Sequence, residues 1–188
     1  MRRLVVSVLF LLLVQSAAPG AVKNEEPDAD GVPAGSILKN GDLSEGRKGW
    51  FGHFTVVSLD GAKEKGNPCM AIEMHKKRDR DVSQSIKLPK GQRTFDVTLR
   101  IKCGKAEKSD AFVPGVMTLR CYPRAEKGKD KPKGLRKKNV YVELSDEWKT
   151  FSWDLKNLSG DESKWLLELV IGPGDGIVYV DDVAMVPK

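Results

Sequence analysis

From Ser36 onward, apolar and polar positions alternate with a period of two almost throughout, and no window holds a sustained period of 3.6. Phe95, Val97, Leu99 and Ile101 set against Thr94, Asp96, Thr98 and Arg100 form the clearest case. Successive side chains of a strand point to opposite faces, so this pattern puts one face in a core and the other in solvent. It predicts strands at Ser36–Lys39, Phe54–Leu59, Cys69–His75, Asp81–Leu88, Arg93–Cys103, Gly115–Tyr122, Asn139–Leu144, Trp148–Leu155, Trp165–Ile171 and Ile177–Val186. Asn40-Gly41-Asp42, Gly66-Asn67-Pro68, Pro89-Lys90-Gly91 and Ser159-Gly160-Asp161 are among the turns between them. Many short strands at this spacing predict an all-β antiparallel sandwich or barrel without helices. The last strand carries adjacent carboxylates, Asp181 and Asp182. One of them must face inward or sit at the rim, and a buried carboxylate needs backbone N–H groups, a cation or a metal.

The first 35 residues follow another pattern. Met1-Arg2-Arg3, the apolar run Leu4–Val14 and the small residues up to Ala21 read as a signal peptide over 1–21, too short to span a membrane. Residues 22–35 are acidic and broken by prolines, as in a disordered linker. A domain at 36–188 remains, large enough for one real core. Without Arg2, Arg3 and Lys23 the 32 basic residues become 29, and without four linker acids the 26 acidic residues become 22. The domain is therefore basic, and for an exported protein acidic or sulfated polysaccharides are the polyanions to consider before nucleic acid. Cys69, Cys103 and Cys121 are odd in number, so at least one is unpaired; alternation points Cys103 and Cys121 at the core.

Leu38-Lys39-Asn40-Gly41-Asp42-Leu43, with Glu45-Gly46 and Gly49-Trp50, resembles the opening of the carbohydrate-binding modules of families four and nine (CenC-type). Val82–Gly91 followed by Phe95–Lys102 is similar to the middle of those modules, Trp148-Lys149-Thr150-Phe151 to a later Trp-centred strand, and Val178–Val183 to their closing strand. The segments occur in the family's order across the whole domain. The resemblance implies an antiparallel β-sandwich jelly roll of the galactose-binding-like group. It also implies a structural calcium ion, for which Asp42, Glu45 and Asp181 are the candidate oxygen ligands. In the family an acidic residue usually stands where this chain has Ser44.

Candidate sugar contacts follow from parity. Tyr122 and Tyr141 fall opposite to their strands' apolar residues, as do Arg100, Lys102, Arg120 and Glu143, so all six are expected on an exposed face. Such a face would form a polar, basic groove with two tyrosines. Trp50, Phe51, Phe95, Phe151 and Trp153 read as core, and Trp148 as a cover over one end of the sandwich. The run Arg124–Lys138 is strongly basic but has no interleaved aromatic for base stacking, which speaks against nucleic acid. No zinc spacing, Ser/His/Asp arrangement or phosphate-cradling glycine loop is present, and no acidic pair stands out as a glycosidase dyad. The resulting expectation is a secreted or periplasmic, monomeric, non-catalytic module that binds a polysaccharide and does not insert into membranes. A small lyase or hydrolase, with Tyr122 and Arg120 among its residues, and a protein-binding adhesion module are the alternatives.

Overall fold

A computed structural model of the chain describes residues 32–59, 68–105, 115–124, 135–142, 145–158 and 164–188. The signal segment and most of the acidic linker lie outside the described residues, as do Glu143 and most of the basic run. Ten strands are described: β1 Trp50–Gly52, β2 Thr55–Ser58, β3 Pro68–Glu73, β4 Arg80–Lys87, β5 Phe95–Gly104, β6 Gly115–Pro123, β7 Arg136–Val142, β8 Ser145–Leu155, β9 Lys164–Ile171 and β10 Ile177–Pro187. They form two five-stranded sheets, ordered β1-β4-β9-β6-β7 and β2-β3-β10-β5-β8, and every pairing is antiparallel. The architecture is a β-sandwich jelly roll, and no helix is described.

The core lies between the sheets and follows the alternation. Phe95, Val97, Leu99, Ile101 and Cys103 point in from β5, Trp165, Leu167 and Leu169 from β9, and Met117, Leu119 and Cys121 from β6. Cys103 and Cys121 therefore face one core from opposite sheets, because β5 pairs with β10 and β8 while β6 pairs with β9 and β7. All three cysteines are free and buried. Burial pushes the thiols of Cys69 and Cys121 up to about 12 and that of Cys103 to about 11, which keeps them protonated and unreactive.

β7 and β8 begin earlier than expected, at Arg136 and Ser145, and two further elements differ in kind from the sequence expectation. Ser36–Lys39 is not a strand. Its groups bond to the outer half of β10 irregularly: Ile37 N donates to Met185 O at 2.9 Å, Met185 N to the Ser36 hydroxyl at 3.1 Å, and Val183 N to Gly41 O at 3.1 Å. A register shift in the β10–β5 pairing between Asp181 and Ala184 breaks the regular ladder beside this segment. Conversely, β1 is a strand that alternation could not announce, since three residues hold too few positions to show a period. The buried Gln84 ties the opening segment to this sheet, accepting from Lys39 N at 2.7 Å and donating to Lys39 O at 2.8 Å.

Candidate functional site

The outward residues form two separate faces, one on each sheet. Arg120 and Tyr122 lie on β6, whereas Arg100 and Lys102 lie on β5 in the other sheet, with the core between them. The single groove expected from parity does not form. Alternation distinguishes inside from outside, but two strands of opposite sheets show the same alternation.

On the β1-β4-β9-β6-β7 sheet the register places Phe51, Ser83, Glu168, Arg120 and Lys137 side by side across five strands. Phe51 is 65% exposed, a correction to its reading as core. Trp50 takes the inward position of β1, so its neighbour must face out. Arg120 pairs with Glu168 at 3.6 Å, and the Tyr122 phenol donates to the same carboxylate. Burial first, then the charge and hydrogen bond of Glu168, push the Tyr122 phenol above its ordinary value. The next row holds Asp81, Val170, Thr118 and Asn139, with the Thr118 hydroxyl 3.2 Å from Asn139 Oδ1 and His53 Nδ1 3.5 Å from Asp81. Tyr141 joins this sheet through its backbone pairing with Val116, and its side chain lies outside what is described, as does Glu143 altogether. Sequence reasoning missed Phe51 and Glu168. The outward parity of Glu168 within Leu166–Val170 was a readable signal; its apposition to Arg120 was not.

On the other sheet, Arg100 donates to Asp182 Oδ2 at 2.9 Å and lies 5.1 Å over the Trp148 ring. Trp148 thus stacks on the outer face of β8 and does not cover an end of the sandwich. Asp182 sits at the β10 irregularity with φ of 48°, and its Oδ1 is buried without a hydrogen-bond partner. Asp181 is the inward carboxylate that the doublet required, 1% exposed, and its Oδ1 accepts from the Asp182 backbone N–H at 2.9 Å. The calcium ligands implied by the family resemblance do not come together as three side chains. Glu45 is exposed and turned to Lys48 at 2.6 Å, and Asp42 Oδ1 accepts from Ser44 N and Oγ. Among the described residues no three His, Cys, Asp or Glu side chains are placed to hold a metal ion.

Burial, then the adjacent Asp182 charge, raise the Asp181 carboxyl from 3.8 to about 6; the Asp182 N–H and Arg100 pull it down, and Asp42 pushes it up. Between about pH 4 and 6 the folded chain therefore keeps a proton that the unfolded chain has released. That contribution to stability is fully present below about 4 and is lost as the pH rises through about 6. Melting temperatures are expected to rise as the pH is lowered from about 7.5 to 5, and Asp181→Asn is expected to remove that slope. An identical pH profile in the Asn variant would show that Asp181 is ionised as usual.

With the geometry in place, the comparisons with known proteins concern the fold. No protein-family model matches the chain, and no curated protein matches it. Among solved structures it is similar to TmCBM61 in complex with β-1,4-galactotriose, with TM-score 0.58 and 15% identity over 81% of this chain and 99% of that one. It is also similar to the CBM22-1 xylan-binding domain of Paenibacillus barcinonensis Xyn10C, with TM-score 0.51 and 12% identity over 85% and 89%. The chain has the fold of a carbohydrate-binding module. The same fold occurs within the enzymatically active domain of bacteriophage CBA120 tailspike protein 4, with TM-score 0.59 and 8% identity; this chain, 81% covered, spans 21% of that one. At these identities the likeness is one of architecture, and the contacts of a ligand have to be argued from the residues above.

Proposed function

We propose that this chain is an exported, non-catalytic carbohydrate-binding module, akin to families four and nine, that binds a polysaccharide across the outer face of the β1-β4-β9-β6-β7 sheet. The observation that carries this reading is the cross-strand row Phe51–Ser83–Glu168–Arg120–Lys137 with Tyr122 beside it. An exposed phenyl ring and a phenol supply apolar surfaces for the C–H faces of pyranose rings. Ser83, Glu168 and Arg120 supply acceptors and donors for hydroxyls. Arg120 and Lys137 leave this row with one positive charge more than Glu168 offsets, and a guanidinium can pair a carboxylate through two hydrogen bonds. Acidic polysaccharides are therefore preferred over neutral ones. Among the described residues no helix is long and apolar enough to cross a membrane.

The lyase alternative fares worse on the same geometry. A tyrosine base must give up its proton, whereas the half-buried Tyr122 lies beside a carboxylate that holds the proton on.

Affinity gels containing polygalacturonate, with xylan as the neutral comparison, test the proposal. Phe51→Ala and Tyr122→Ala are each expected to weaken retention by about 5–30-fold, the equivalent of about 1–2 kcal/mol per ring. Arg120→Met should reduce the preference for the acidic polymer, and raising salt from about 0.05 to 0.5 M should do likewise by screening. Retention that is indifferent to all three substitutions would move the ligand off this face. Release of reducing or unsaturated sugars from either polymer would replace the binding module by an enzyme.

A further inference from the structure

The opposite sheet carries a groove of about 490 Å³ between β2, β3 and β10, lined by Thr55, Val57, Ala71, Glu73, Ile177 and Tyr179. We infer that this groove is a second saccharide site, selective for neutral sugar rings, on the face turned away from the one proposed above.

Register puts Thr55, Ala71, Tyr179 and Lys102 in one row, with Glu73 beside Ile177 in the next. Tyr179 is half-buried, and its ring lies down against β5 at Gly104, where an added Cβ would stand 3.4 Å from Cε2. A glycine there and an alanine at 71 leave the tyrosine as the broad apolar surface of the groove. Val57 and Ile177 flank it, polar groups of Thr55, Glu73 and the tyrosine line the rest, and the volume falls within the range of about 300 to 1,000 Å³ usual for ligand pockets. Glu73 and Thr55 are exposed at the margin, and among the described residues no cation pairs with Glu73. Glu73 accepts hydrogen bonds from adjacent sugar hydroxyls, and with Lys102 in the adjoining row the groove has no net charge to attract a uronate or sulfate. The chemistry thus differs from that of the Arg120 face, and it selects neutral pyranose units. The two sites look outward from opposite sheets, so one protein molecule can hold two different glycan chains.

The purified protein is tested on affinity gels containing β-1,4-galactan, xylan or mixed-linked β-1,3-1,4-glucan, with polygalacturonate in parallel. Tyr179→Ala is expected to lower retention by at least one neutral polymer tenfold or more, and Glu73→Gln threefold or more, with polygalacturonate retention kept. Phe51→Ala combined with Tyr122→Ala is expected to do the reverse, so loss of either face is read independently of the other. Circular dichroism melts accompany each variant; if Tyr179→Ala does not fold, Glu73→Gln alone decides. The inference is overturned if no neutral polymer retains the protein, or if folded Tyr179→Ala and Glu73→Gln are retained like the parent. Failure of the Arg120-face reading appears separately, as unchanged polygalacturonate retention in the Phe51/Tyr122 variant.

Discussion

Gly41→Ala is expected to lower stability by about 3–5 kcal/mol and the melting temperature by about 10 °C or more. A Cβ at this position would stand 2.0 Å from the Val183 carbonyl oxygen and 3.1 Å from its carbon. Both partners of that clash are backbone, and both are pinned by the Val183 N–H bond to Gly41 O at 3.1 Å. A well-packed site that cannot yield usually loses about 1–3 kcal/mol to one extra methyl. Here relief requires the opening segment to lift from β10. That would also uncover Leu38 and Leu43, now 7% and 0% exposed, at about 1.5–3 kcal/mol for each side chain fully released. Urea or thermal unfolding followed by circular dichroism measures the loss. A variant that melts within a degree or two of the parent would mean that the opening segment does not pack on β10 as described.

Arg100→Met is expected to cost about 3 kcal/mol, or about 6–12 °C, because it leaves Asp182 without its cation. The side chains of the pair are 22% and 11% exposed, so water can replace little of the lost interaction. The damage spreads beyond one bond. Asp181 sits next in the chain with its carboxyl already raised, Arg100 is one of the groups holding it down, and the Trp148 ring loses the guanidinium lying over it. Removing both partners is cheaper than removing one, so Arg100→Met with Asp182→Asn should recover part of the loss. Stability additive over the two single substitutions would show that the pair contributes nothing as a pair. This ion pair also bears on the closing doublet. One carboxylate accepts from a backbone N–H, and the other takes an arginine from the neighbouring strand on Oδ2 while its Oδ1 stays without a hydrogen-bond partner.

Much of the sandwich was legible in the chain because one face of each long strand must be dry. Phe95 to Cys103 shows the dry face at every second position, and that is where the structure buries them. One of Asp181 and Asp182 could be read as inward or at the rim because two adjacent strand residues cannot share a face, and the structure turns Asp181 inward. Phe51 could have been read the same way, once Trp50 was assigned to the core. By contrast, Ser36–Lys39 has an acceptable strand composition, yet its hydrogen bonds go to the irregular half of β10, a partner 140 or more residues away in sequence.

The alternation of single residues thus determined the class and the inward or outward sense of most side chains in the described long strands, because each depends only on the pleat of one strand. Which outward residues become neighbours depends on sheet order, and that order is settled by how ten apolar faces close over one core. Nothing local in Arg120, Glu168 and Phe51 says that β6, β9 and β1 share a sheet, or that Arg100 on β5 belongs to the other. Only the tertiary structure could therefore divide one expected groove into two faces, give Glu168 to Arg120 and Tyr122, and turn Arg100 toward Asp182.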